Sequence, residues 1–299
     1  MTAQATDLGI RIASSLNAKA RNAGMDVPQH FQKFGQERLL ARLFDGPEAA
    51  HMMTTGGMMW QIDPDVADLG RSTSDIDLQI FRAAKPEGLV AFAKRACARD
   101  LGDGVVFEVR KAQMLEHTDL DQPGVRVHIV GHVGKTRVTT HVDFCFAPKP
   151  CEVRTLVPEP MVAGQKAVPV VAQTWASSIA DKLHSVVARG LKNTRLKDYR
   201  DLYVFAQRGH AADPKLQDAI AETFSNRGTA LPNRIPVGLD LMYAQYRQED
   251  WDNYLAKLSP KQREGLPADL SDVTYALEEA YMPALVPTDE LDEVFALRA

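Results

Sequence analysis

Cysteine is scarce in this chain of 299 residues: Cys97, Cys145 and Cys151 are the only three. An odd number without C-x-x-C spacing implies neither a disulfide framework nor a zinc site. Long apolar runs are missing too. None approaches the ~18 residues of a membrane span, and the N-terminus lacks a signal-peptide h-region, so the expectation is a soluble, cytoplasmic protein without a membrane partner. There is no repeat and no low-complexity tract. Strong charge of either sign is also absent. A formal net charge of -4 argues against a protein that coats nucleic acid with its whole surface, while leaving room for a local basic face. What remains is ordinary globular composition, 45% apolar and 25% charged, long enough to bury a full core as one large domain or two smaller ones.

The chain is organised around Thr54 to Leu78. Asp75 and Asp77 alternate with Ile76 and Leu78, a strand periodicity that puts both carboxylates on one face. Two acids on one strand face repel each other, and a cation between them is the main reason to keep both. Carboxylate oxygens suit Mg²⁺ (or Mn²⁺), usually together with substrate phosphates. Gly56-Gly57 lies between the short apolar stretches His51 to Met53 and Met58 to Ile62, where a glycine pair lets backbone N–H groups approach a phosphate. Taken singly, D-x-D often marks only a strand leaving the core, and G-G only a turn. Glycine pair first, then D-x-D on the next strand, resembles the layout of polymerase-β-like nucleotidyltransferases. Asp63, Asp65 and Asp68 in the intervening Asp-Pro-Asp stretch read as a solvated turn.

Helical spacing runs through residues 1 to 24, and Val27-Pro28 breaks it. A second helix covers His30 to Phe44, with Lys33, Glu37, Arg38 and Arg42 on its polar side, and Gly46-Pro47 ends it. Pro86 to Asp100 is amphipathic, with its proline near the first turn. Strand-like runs follow at Val105 to Val109, Val125 to Val130 and Arg137 to Phe146, with Gly131-His132-Val133-Gly134 as the turn between the last two. On the third strand His141, Asp143 and Cys145 share a face. An aspartate among such apolar neighbours is costly to bury unpaired, so Asp143 needs a partner, and the cation proposed for Asp75 and Asp77 is a candidate.

Residues 147 to 172 are rich in proline, at 148, 150, 158, 160 and 169, so 151–172 reads as an extended crossing between two lobes, 1–150 and 173–299. The second lobe reads as all-helical. Thr174 is placed to cap a helix from Trp175 to Arg189, and Gly190 suits its C′ position. Further helices are expected at Lys197 to Gln207, Lys215 to Asn226, Pro236 to Arg247, Asp250 to Leu258, Ser271 to Met282 and Asp289 to Leu297. Lys182 and Arg189 lie off the apolar stripe of Ile179, Leu183, Val186 and Val187. One reading of this helix pair is a solvated surface with a Lys197–Asp201 ion pair. The other makes Lys182 and Lys197 point charges on triphosphate oxygens, with Asp198 and Asp201 orienting them. Lys182, His184, Arg189, Lys192, Arg195, Lys197 and Arg200 crowd one helix–loop–helix, and Arg189, Lys192 and Arg195 are the candidate RNA contacts.

Four stretches together carry a family resemblance: E-R-L-L-A-R-L; G-G followed by R-S-T-S-D-I-D-L; V-D-F; and I-A-D-K-L-H-S-V-V-A-R-G with N-T-R-L-K-D-Y-R-D-L-Y. E-T-F-S-N-R-G-T-A-L-P from Glu222 to Pro232 is a softer match. The chain resembles the AbiEii/AbiGii nucleotidyltransferases, toxins of abortive-infection (phage-defence) and toxin–antitoxin systems that include the MenT-type toxins. The resemblance implies an α/β lobe with a mixed, polymerase-β-like sheet and an all-helical C-terminal lobe. It implies that Asp75 and Asp77 bind metal, that Lys182 meets the nucleotide phosphates, and that K-D-Y-R-D holds further functional polar positions. It also implies an NTP substrate and raises a cognate antitoxin as a partner. Met58-Met59-Trp60 departs from the smaller residues common there, which leaves the preferred nucleotide open.

The expected chemistry is metal-assisted nucleotidyl transfer to RNA, with a tRNA 3′ end as the first candidate acceptor. Asp75, Asp77 and Asp143 hold the metal, and Asp143 is either a ligand or the base for the attacking hydroxyl. Gly56, Gly57 and Ser72 cradle phosphates, and Lys182 and Lys197 offset the charge of the leaving pyrophosphate. The alternatives are a small-molecule or protein hydroxyl as acceptor, or an NTP-binding toxin or sensor without turnover.

Overall fold

The structure, a computed structural model, describes residues 7–67, 73–82, 84–115 and 124–286. The chain divides into two compact units, Met1–Gln173 and Thr174–Ala299.

The first unit opens with helices α1 (Asp7–Asn22) and α2 (Val27–Phe44). Asp26 caps α2 by accepting the Gln29 N–H at 2.8 Å, and Pro28 sits in its first turn, so the residues that end one helix start the next. β1 (Met52–Thr55) leads through a tight turn at Gly56–Met58 into the single-turn α3 (Met59–Ile62). There follow β2 (Asp75–Ile80), α4 (Pro86–Ala98), β3 (Val105–Leu115), β4 (Gly124–Val133), β5 (Thr136–Phe146), β6 (Arg154–Leu156) and β7 (Val170–Ala172). They form one mixed sheet in the order β3-β4-β5-β2-β1-β7-β6, parallel at β2–β5 and β1–β7 and antiparallel elsewhere. Ile76, Leu78, Val142 and Phe144 are buried with Phe31, Phe34, Leu39 and Leu43 of α2 and Phe92 and Ala93 of α4 in one hydrophobic core. Phe92 meets Phe144 edge-on at 6.1 Å. By strand alternation, the acids of β2 and β5 occupy the opposite face of the sheet.

Several expectations are corrected in this unit. The Pro-rich segment is no crossing between lobes. β6 and β7 lie within it and extend the sheet, and the Gln173 N–H bonds Thr54 O at 3.1 Å. β3 runs on past Val109 through Arg110, Lys111 and Gln113, because the edge of a sheet tolerates polar side chains and a bulge between Val109 and Lys111. Gly131, His132 and Val133 belong to β4, and the turn is made instead by Gly134, whose φ of 58° suits glycine, and Lys135. Arg38 and Arg42 are buried rather than solvated. Arg42 forks onto Asp103 at 2.7 and 2.6 Å and donates to Val105 O at 3.0 Å. A buried guanidinium is tolerable when its donors are taken by a buried carboxylate and carbonyls. Asp63 is buried, paired with Arg154, and so is no solvated residue, while Pro64 and Asp65 are exposed in the expected turn; Asp68 lies outside the described residues.

The second unit is helical: α5 (Trp175–Arg189), α6 (Leu196–Gln207), α7 (Leu216–Asn226), α8 (Leu241–Leu255), α9 (Pro260–Arg263) and α10 (Leu270–Leu285). Thr174 caps α5 by accepting the Ser177 N–H at 3.1 Å, and Gly190 ends it at φ 47°. α8 is one helix where two were expected. Nothing between Arg247 and Asp250 breaks a helix, and the two pair across one turn at 2.9 Å. The expected helix Asp289 to Leu297 lies outside the described residues. Among the described residues, no helix is long and apolar enough to cross a membrane.

Candidate active site

Sheet register assembles the acids. β2 and β5 run parallel with Asp75 opposite His141 and Asp77 opposite Asp143. β4 runs antiparallel to β5 with His128 opposite His141 and Arg126 opposite Asp143. A row Asp77–Asp143–Arg126 and a row Asp75–His141–His128 therefore cross three strands side by side.

Each carboxylate is held differently. Thr73 donates its hydroxyl to Asp75, and the Thr73 carbonyl is fixed by Gln36 Nε2 at 3.0 Å. The Asp77 carboxylate lies against Gly56, whose φ is 65° and at which a Cβ would collide with Asp77 Oδ2. Asp143, 6% exposed, receives both arms of Arg126: Nε donates to Oδ1 at 2.7 Å and Nη2 to Oδ2 at 2.6 Å. Those two bonds, with attraction from Asp143, Asp75 and Asp77 added, hold the Arg126 guanidinium above its ordinary pKa against the opposing effect of burial. Burial first, then the neighbouring Lys111, His141 and Arg126, push the His128 imidazole below its usual value. Its ring tilts against His141 at 5.7 Å.

The sequence groups Asp75, Asp77 and Asp143. In the structure the donors that converge are Asp75, His141 and Asp143, with ligand atoms within 4.8 Å of one another, while Asp77 is directed to Gly56. Two carboxylates and an imidazole form a donor set that could hold a divalent cation. The partner demanded by a buried Asp143 is Arg126, a residue that sequence reasoning misses. Its signal is one arginine in V-R-V-H-I-V, meaningful only once the β4–β5 register is known. Gly57 is buried in the turn after Gly56, Met58, Met59 and Trp60 are core residues, and Ser72 lies outside the described residues.

The candidates in the second unit form a separate charge network. Lys182 is 8% exposed and pairs with Asp198 at 3.2 Å and Asp201 at 3.0 Å. Arg195 Nε reaches Asp198 Oδ2 at 2.6 Å, and Arg200 reaches Asp201 at 3.4 Å. Burial would raise the Asp198 carboxyl, but Lys182 and Arg195 outweigh it and hold the group below the usual carboxylate range. Asp201 is buried against Lys182 and Arg200, so a surface pair with the exposed Lys197 is not what it makes. His184 hydrogen-bonds Thr229 at 2.8 Å and Arg227 at 3.0 Å, tying α5 to the end of α7 within the Glu222–Pro232 stretch. Of the crowded cations, Lys182, His184 and Arg200 are buried and Arg195 is bound to Asp198; Arg189, Lys192 and Lys197 are exposed.

The mixed sheet with acids on adjacent strands, and the helical unit that follows it in the chain, agree with the fold expected from the sequence. The family model described as "Nucleotidyl transferase AbiEii toxin, Type IV TA system" matches residues 38–296. The chain belongs to this family, and its enzyme class is nucleotidyltransferase. Among solved structures it is similar to one titled "Crystal structure of JHP933 from Helicobacter pylori", at 13% identity and a TM-score of 0.47, covering 91% of this chain and 98% of that one. No curated protein sequence matches significantly.

Proposed function

We propose that the chain transfers a nucleoside monophosphate from an NTP to a hydroxyl of RNA, with a tRNA 3′ end as the first candidate acceptor. The observation that carries this reading is the register of β2 and β5, which sets Asp75 and Asp77 beside His141 and Asp143 on one face of the sheet. Asp75, His141 and Asp143 would hold a divalent cation, Mg²⁺ or Mn²⁺, and Asp77 would join them by turning from Gly56. When bound, such a cation supplies the charge that stabilises the attacking and leaving oxygens of an in-line displacement.

The rest is done by the chain itself. Thr73 orients Asp75, and Gly56 leaves the space in which Asp77 sits. Backbone N–H groups around Gly56 and Gly57 are proposed to meet phosphate oxygens. Asp143, both of whose oxygens Arg126 engages, is proposed as an electrostatic element and, once an oxygen is freed, as a ligand rather than as the acceptor of the hydroxyl proton. Lys197 and Lys182 are proposed as contacts for triphosphate oxygens, with Asp198 and Asp201 positioning Lys182. The exposed Arg189 and Lys192 are proposed to contact RNA phosphates. The type IV toxin–antitoxin description makes a cognate antitoxin part of the same proposal, with the cytoplasm as the setting.

The test is incubation with total RNA, Mg²⁺ or Mn²⁺, and each α-labelled NTP in turn, followed by sequencing of RNA 3′ ends. Label added to the 3′ end of a defined RNA supports the reading. Label that appears only in a protein or a small molecule overturns the acceptor.

A further inference from the structure

Arg126 stands in the row of acids, yet positive charge is not what metal-assisted transfer asks of its ligand set. β4 places it directly opposite Asp143, itself directly opposite Asp77. The guanidinium engages both Asp143 oxygens in the fork-to-fork geometry that makes such pairs strong and specific. The Asp143 side chain is 8% exposed and that of Arg126 30%, so the carboxylate is enclosed while the arginine has a route outward. Three carboxylates on neighbouring strands repel one another unless a cation lies among them. When no metal is bound, Arg126 is that cation.

We propose that Arg126 is a positioning residue that acts as an internal counter-cation for Asp143, and that it releases at least one carboxylate oxygen before Asp143 can ligate a divalent cation together with Asp75 and His141. The proposal rests on the metal reading given above and adds a competition to it. The protein's cation affinity is lowered by the fraction of molecules in which the Arg126–Asp143 pair is closed. Removing the arginine therefore has two opposite effects. The metal-free protein loses stability because Asp143 loses its counter-charge, while its affinity for the cation rises. A pair that only holds β4 to β5 would produce the first effect without the second.

The probe is Mn²⁺ alone, titrated by electron paramagnetic resonance into the full chain as wild type, Arg126→Gln, Arg126→Lys and Asp143→Asn. Arg126→Gln should bind Mn²⁺ about tenfold more tightly than wild type, following the population arithmetic of a pair closed most of the time. Its melting temperature should be lower without metal and rise further on adding Mn²⁺. Arg126→Lys keeps the charge but not the fork and should tighten binding a few-fold. That variant decides the matter should Arg126→Gln fail to fold. Unchanged or weaker Mn²⁺ affinity in a folded arginine variant overturns the proposal while leaving the metal site standing. Equal binding by wild type and Asp143→Asn, or none by either, overturns the metal reading and this proposal with it.

Discussion

The Asp77 carboxylate occupies the space into which a side chain at Gly56 would project. The two lie on neighbouring elements, the turn after β1 and the strand β2, joined by the β1–β2 register in which Thr55 faces Asp77. Gly56 is at φ 65°, so alanine there would meet backbone strain as well as the carboxylate. Gly56→Ala should destabilise the first unit by roughly 1–3 kcal/mol and displace Asp77, with loss of transfer. Urea denaturation and single-turnover assays check both parts. A variant that transfers normally would show that the position of Asp77 against Gly56 is irrelevant to catalysis.

The Lys182 ammonium lies against both Asp198 and Asp201, two carboxylates in the interior of the helical unit. Lys182→Ala leaves buried negative charge under-compensated and should lower stability by about 3–5 kcal/mol. Its effect on nucleotide affinity must therefore be measured below the melting range of the variant. A shift in urea midpoint equivalent to less than about 1 kcal/mol would move Lys182 from this network to the surface.

Asp198 also predicts a pH dependence. Its folded pKa is depressed, so the unfolded chain binds a proton more readily and the group's contribution is present above the unfolded carboxylate range. That contribution declines as pH falls through the lower, folded value. Denaturation from about pH 5 down to about pH 2 should show stability falling with acid, and Asp198→Asn should flatten that part of the profile. An identical slope in the variant contradicts the assignment.

RNA binding is a question for Arg189 and Lys192, which are exposed; Arg195 is held by Asp198. Charge reversal at those two should reduce RNA modification and flatten its salt dependence by roughly 0.7 log units for each phosphate that is no longer neutralised. Arg195→Glu, by contrast, should unfold the helical unit at lower urea. Normal RNA modification by the double variant places the acceptor elsewhere.

The acids of the site are legible because strand periodicity is the plainest signal a sequence carries. D-I-D and H-V-D-F-C each put their polar residues on one face, and the structure pairs those strands in register. The caps at Thr174 and Gly190 are legible for a similarly local reason. Arg126 is not, because its meaning depends on which residue of β5 it faces. Nor are Arg38 and Arg42, which look like a solvated helix face until Asp103, some sixty residues on, is brought against them. The Pro-rich segment misleads in a different way: its prolines flank two three-residue strands without interrupting them, so composition reads as a linker what the sheet uses as β7 and the edge strand β6.

The central claim, that the acids of β2 and β5 carry the transfer, is tested most directly by pyrophosphate release from an NTP in the presence of RNA and Mg²⁺ or Mn²⁺. Wild type should be compared with Asp75→Asn and Asp77→Asn after each is shown to melt at or above the wild-type temperature. The account predicts release matched by label in the acceptor, lost on chelation, and reduced at least about a hundredfold in either variant. Release by a folded Asp77→Asn within a few-fold of wild type would contradict it.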